Sequence, residues 1–363
     1  MMARLVGRTP WSARDALVPR PEQRYRHPAQ REQADGGVGR GPGGPPHNLF
    51  LRLLAMLFLA ALAAPAATFY VTISGLGGEP DYDQRFKMWA LDIDSSLKKA
   101  GTPDPDIVTL IAPPREQIRT RFASLASTVK PTDNLVVVLI GHGTFDGVDY
   151  KFNVPGPDLT GAELATLLDR IPSARQLVVV TTSSSGGSIE FLRKPNRIVI
   201  AATRTGSEKN ATIFARYWAE ALREPSADVD KNESVSALEA FRYAQRKTKE
   251  FFDTQKRLAT EHSVFEDTGK GAGVAAAAAP DAAADGNAAE GRLAASFTVV
   301  RLGANAAASK DPAKKALLEK KEELEQAIDQ LKYEKASMNA EDYKKQLTRL
   351  LLELARTQEE IDK

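Results

Sequence analysis

The chain has 363 residues, of which 42% are hydrophobic and 26% charged, a balance that suits a globular core carrying polar appendages. Its 49 basic and 47 acidic residues leave a net charge of +2, which excludes any global attraction for nucleic acid or for an anionic membrane surface. It contains no cysteine, which excludes a disulfide framework, a thiolate metal site, a cysteine-linked lipid anchor and a cysteine nucleophile.

Residues 1–48 are rich in Arg, Pro and Gly and poor in apolar side chains, so they cannot bury enough surface to offset their ordering entropy. They are expected to be a disordered basic extension, one that a start codon set too far upstream would explain. Arg52, the apolar run Leu53–Ala64 and the small residues Ala64 and Ala66 form a secretory signal pattern over 49–67. Export to the periplasm or beyond the cell follows, with membrane attachment only if the signal stays uncleaved.

From Thr68 the text alternates between strands and helices, which predicts an α/β domain over 68–303 with a mostly parallel sheet flanked by helices. Phe69–Ser74 reads as a strand ending in the loop Gly75 to Gly78, Tyr82–Ala100 as a helix closed by Gly101, Ile107–Ile111 as a strand and Arg115–Val129 as a helix. Asn134–Ile140 is a continuous apolar run, the mark of a strand buried on both faces, and it enters Gly141-His142-Gly143. Thr160–Ile171 is expected to be a helix capped by Thr160 and Glu163. Gln176–Val180 is a second central strand, ending in the polar turn Thr181 to Ser188. Arg197–Ala202 reads as a strand, Ala211–Leu222 as a helix, Ser234–Leu258 as one long helix and Ser296–Leu302 as a closing strand.

Residues 269–291 form an Ala-, Gly- and Asp-rich tract without periodicity and read as a flexible insertion. Beyond Lys310, Leu317, Leu324 and Leu331 recur at seven with Ile328 on the same face, and Leu347, Leu350, Leu354 and Ile361 mark a second stripe. Ser337 to Glu341 supplies a turn and an N-cap between them, so 310–363 is expected to be a two-helix hairpin. Two helices bury little area alone. This pair is expected to pack on the core, join a copy of itself or receive a protein partner.

Ligands of open parallel sheets bind beyond the carboxyl ends of the central strands. His142 stands there between two glycines that leave the imidazole room to reach a bound group. Asp81, Asp83, Asp92 and Asp94 hint at a cation, but Asp92 and Asp94 on a helix do not face one site. The sequence is therefore read as carrying no metal and no cofactor.

A buried strand ending in Gly-His-Gly, then a helix, then a buried strand ending in a polar turn with Ser-Gly resembles the caspase and legumain type of cysteine peptidase. Val136–Gly143 matches the first half and Val178–Gly187 the second, with Ser183 where that family has its cysteine. Ser74–Ala90 and Ile200–Trp218 are similar to the legumain segments that line the substrate pocket. The resemblance covers about residues 68–265 and implies a three-layer sandwich. It implies catalytic positions at His142 and Ser183, oxyanion-holding backbone near Gly143 and Gly186, and a pocket shaped by Arg85, Thr203, Arg204 and Glu208.

A serine hydroxyl is far less acidic than a thiol and needs an adjacent base oriented by a third group. No orienting acid is obvious, although Asp146 and Asp149 follow His142 closely. Thr181, Thr182, Ser184 and Ser185 have a simpler use in satisfying the backbone of the turn. The favoured expectation is thus an exported, non-catalytic peptide-binding or scaffold protein with a peptide or protein ligand at the strand ends. The alternatives are a hydrolase using Ser183 with His142, or an interaction protein working through its helical tail.

Overall fold

The structure, a computed structural model, describes residues 66–275 and 290–363. The basic extension, the signal segment up to residue 65 and residues 276–289 of the alanine-rich insertion lie outside the described residues.

In chain order, β1 (Thr68–Ser74), α1 (Pro80–Lys99), β2 (Ile107–Ile111), α2 (Arg115–Thr128) and β3 (Asn134–Ile140) come first. The short strands β4 (Gly143–Phe145), β5 (Tyr150–Phe152) and β6 (Leu159–Thr160) follow, then α3 (Gly161–Asp169), β7 (Arg175–Val180), α4 (Ile189–Leu192) and β8 (Arg197–Ala201). Next are α5 (Phe214–Ala221), β9 (Ser234–Ser236), α6 (Ala237–Thr254), β10 (Val264–Glu266), α7 (Arg292–Ala295), β11 (Thr298–Arg301) and α8 (Gly303–Ala308). The chain closes with α9 (Pro312–Glu334) and α10 (Ala340–Asp362).

The main sheet has the order β10-β8-β7-β3-β1-β2 and is parallel except for β10, which runs antiparallel along β8. Successive side chains of a strand point to opposite faces, and β3 shows what that requires. Val136, Val138 and Ile140 enter one apolar core with Trp89 and Ile93 of α1 and Trp218 of α5. Leu135, Val137 and Leu139 enter the other with Ile118 and Phe122 of α2 and Leu168 of α3. Each such side chain contributes roughly 1.5–3 kcal/mol by leaving water, so an unbroken apolar run is the stable choice for this strand. The domain is therefore α/β, with helices on both faces of a mainly parallel sheet.

From β1 the chain steps to β2 on one side and then returns across to β3 on the other. This places a switch point at the carboxyl ends of β1 and β3, where sheets of this kind bind their ligands. His142 follows β3 directly at that end. The turn after β7 sits beside it, because β3 and β7 pair in parallel from Asn134↔Arg175 to Leu139↔Val180.

Two expectations are corrected. Ser234–Leu258 is not one helix: Ser234–Ser236 is a strand, and α6 starts at Ala237 behind a full capping box of Ser236 and Glu239. The strand expected at Ser296–Leu302 does not close the main sheet but pairs as β11 with β9 in a separate two-stranded sheet.

The C-terminal helices form the expected pair. Leu324, Ile328 and Leu331 of α9 are buried, with Leu318 rather than Leu317 the covered residue nearer the start of the helix. α9 is held to the domain by Arg301 Nε on Glu322 Oε1 at 2.8 Å and by Gln326 Nε2 donating to the Ser296 carbonyl at 2.9 Å. No helix among the described residues is long and apolar enough to cross a membrane.

Candidate functional site

The site is built from the three loops that leave β1, β3 and β7. Their backbones meet closely, with Gly75 N donating to the Ile140 carbonyl at 2.7 Å and Thr181 N to the Leu139 carbonyl at 2.9 Å. Between them stand His142 and Ser183, which the sequence placed at the ends of the same two strands.

His142 is half-buried, with its ring edge-on to Tyr82 at 4.8 Å and to Phe86 at 5.1 Å, both on α1. Burial in this aromatic clamp pushes the imidazole below its ordinary value, against the opposing pull of the Gly77 backbone and the charges of Glu79 and Asp83.

Ser183 is 3% exposed, and its hydroxyl is occupied in both senses: it donates to the Gly143 carbonyl at 3.0 Å and accepts from Gly143 N at 3.1 Å. No hydrogen bond joins it to His142 among the described residues. An activated serine gives its proton to a base, and a backbone carbonyl is not one. The glycine at 143 is required by this approach, since a Cβ there would lie 2.6 Å from Thr182 Oγ1 and 2.7 Å from the Ser183 carbonyl oxygen.

The rest of the turn is mostly satisfied within the protein. Thr181 Oγ1 donates to the Leu139 carbonyl at 2.7 Å, Thr182 Oγ1 shares a 2.6 Å bond with the Tyr150 hydroxyl, and Ser185 Oγ lies 3.2 Å from Thr203 Oγ1. Ser184 is the exception. It is fully buried in the left-handed region, at φ 56, with its N–H on the Glu208 carbonyl and its hydroxyl without a partner.

The other expected site residues divide. Gly186 does not offer a free N–H, because it donates to Thr203 Oγ1 at 2.9 Å. Thr203 is fully buried and braces the turn from behind, so it lines no surface that a ligand could touch. Arg85 is at the rim, paired with Asp81 at 2.6 Å and lying over the Tyr82 ring. With side chains 48% and 63% exposed, that pair contributes little stability and leaves the guanidinium exchangeable to an acidic or carboxamide group. Arg204 is exposed, and Glu208 accepts its backbone N–H at 3.3 Å.

Glu208 also accepts from His262, through the backbone N–H at 3.0 Å and at Nδ1 across 3.1 Å. The neighbouring Glu261 is buried, accepts from Ile213 N and Phe214 N at the start of α5, and is pushed by burial up to about 7. The pocket loop 203–213 is thus moored to residues 261–262 by two carboxylates. No local pattern in the sequence links His262 to a residue 54 positions earlier.

A polar cavity lined by Tyr70, Arg175, Arg301 and Glu322 lies at the opposite, amino-terminal end of the strands. None of the expected site residues lines it.

No family model matches the chain, and no curated protein does. Among solved structures, the protein GSU0716 of Geobacter sulfurreducens is 11% identical over 56% of this chain and 94% of its own, at a TM-score of 0.40. A likeness at that level carries no argument.

Proposed function

We propose that this domain is a non-catalytic relative of the legumain and caspase type of peptidase, exported and retained as a peptide-binding or scaffold module. The observation that carries the reading is the hydroxyl of Ser183, held on both sides by Gly143 and not by His142. The serine stands where the resemblance places a thiolate, and its donor is spent on a carbonyl. A peptide would lie across the strand ends, with Arg85, Arg204 and Glu208 at the rim selecting its polar side chain.

The helical tail adds a second contact surface. Leu351 and Leu352 of α10 are 47% and 56% exposed, which favours an interaction role for that helix alongside the pocket.

Hydrolysis of a diverse peptide library by the full-length chain tests the main reading, with Ser183→Cys and His142→Ala in parallel. The expected result is no turnover by the parent and measurable turnover by Ser183→Cys. Turnover by the parent that vanishes in His142→Ala would establish the serine hydrolase instead.

A further inference from the structure

Between α5 and α6 the chain reads Asp228-Val229-Asp230-Lys231-Asn232-Glu233-Ser234-Val235-Ser236-Ala237-Leu238-Glu239. Oxygen-bearing side chains occupy the first, third, fifth, ninth and twelfth places, and the twelfth is a glutamate. This is the ligand order of the loop that wraps a calcium ion, in which those side chains act with the carbonyl of the seventh residue. The ordering is a property of the sequence and does not depend on where the side chains lie.

The structure brings the charged members of that set together independently. Carboxylate oxygens of Asp228, Asp230 and Glu239 all lie within 4.8 Å of one another. Oxygens on opposite sides of a calcium ion, each at 2.3–2.6 Å, are about 5 Å apart, so the cluster has the span of one coordination shell. The Asn232 amide donates to Asp230 Oδ2 at 3.1 Å, a contact that a cation would replace.

The surroundings follow the same plan. The sixth place of such loops turns sharply and is usually glycine. Here Glu233 takes that turn at φ 61, and its side chain has a separate use, accepting Asn305 N at 3.1 Å beside the start of α8. Val235, at the eighth place, pairs with Val300 of β11, and Glu239 falls in the first turn of α6.

We propose that residues 228–239 form a calcium site in which Asp228, Asp230, Asn232, the Ser234 carbonyl, Ser236 and Glu239 supply the oxygens. An all-oxygen, carboxylate-rich set selects a hard cation over zinc or copper. The bound ion would fasten the β9–β11 pair to the start of α6.

Calorimetric titration of the full-length chain, stripped with EDTA, is expected to give one calcium site with a Kd at or below about 10⁻³ M, the weak end of such loops. Calcium should also raise the thermal midpoint of the protein. Glu239→Gln keeps an acceptor for the cap at Ser236 but removes the charged bidentate ligand, and is expected to weaken binding at least about tenfold and erase the thermal shift. Asp230→Ala, at an exposed place, should do the same through a different residue. A parent protein that takes up no calcium at millimolar concentration, or binding that survives both substitutions, overturns the proposal.

Discussion

Replacing Arg197 by alanine is expected to lower the free energy of unfolding by about 3 kcal/mol or more, as removal of one member of a buried charged network does. Arg197 opens β8 and is 3% exposed. Its guanidinium donates to Gln176 Oε1 at 2.7 Å, to the Leu192 carbonyl at 2.9 Å and to Asp169 Oδ1 at 2.6 Å. One side chain thereby ties β8 to β7 and to the carboxyl ends of α3 and α4. Alanine leaves the Gln176 and Leu192 oxygens buried without a donor, and that desolvation penalty is the larger part of the loss. The Asp169 contact contributes less, since that carboxylate is 46% exposed. Lysine should rescue only in part, because a single ammonium cannot reproduce the fork. Urea unfolding checks this: the midpoint should fall with the slope unchanged.

The second large effect depends on pH. Glu261 is buried at the start of α5, with its carboxyl raised from 4.5 to about 7. A carboxyl whose pKa is raised on folding binds its proton more tightly in the native state. It therefore removes stability as pH rises from about 4.5 through 7, and the full penalty is present above that window. The shift corresponds to a penalty on the order of 3 kcal/mol. Glu261→Gln keeps an acceptor for the Ile213 and Phe214 N–H groups and carries no charge. It is expected to be more stable than the parent at pH 8 and equal to it at pH 4. Unfolding curves at the two pH values check the sign; a gain at pH 4 that disappears at pH 8 would reverse the assignment.

The central strands were legible in the sequence because both of their faces are buried. Leu135–Ile140 and Leu177–Val180 are apolar without interruption because cores lie above and below them, and the parallel register of their strands then sets His142 beside the turn of Ser183. The strands β4, β5 and β6 are two or three residues long and carry no periodicity to read. The strand at Ser234–Ser236 was absorbed into the helical pattern that follows it, although the Ser236 and Glu239 pair marks where α6 begins. That same misplacement hid the ligand order of 228–239, whose last residues were read as helix. Strand propensity does not name a partner, which is why the segment at Thr298–Arg301 was expected to close the main sheet. At the site, the clamp of Tyr82 and Phe86 on His142 depends on how α1 crosses the sheet. The mooring of Glu208 to His262 joins residues far apart in sequence. Neither leaves a local mark.

The central claim is that Ser183 is not an activated nucleophile. Incubating the folded full-length protein with a fluorophosphonate, which phosphonylates activated serines, and measuring intact mass tests it directly. No adduct on Ser183 is expected, in the parent or in His142→Ala. A stoichiometric adduct at Ser183 that is lost in His142→Ala would contradict the account.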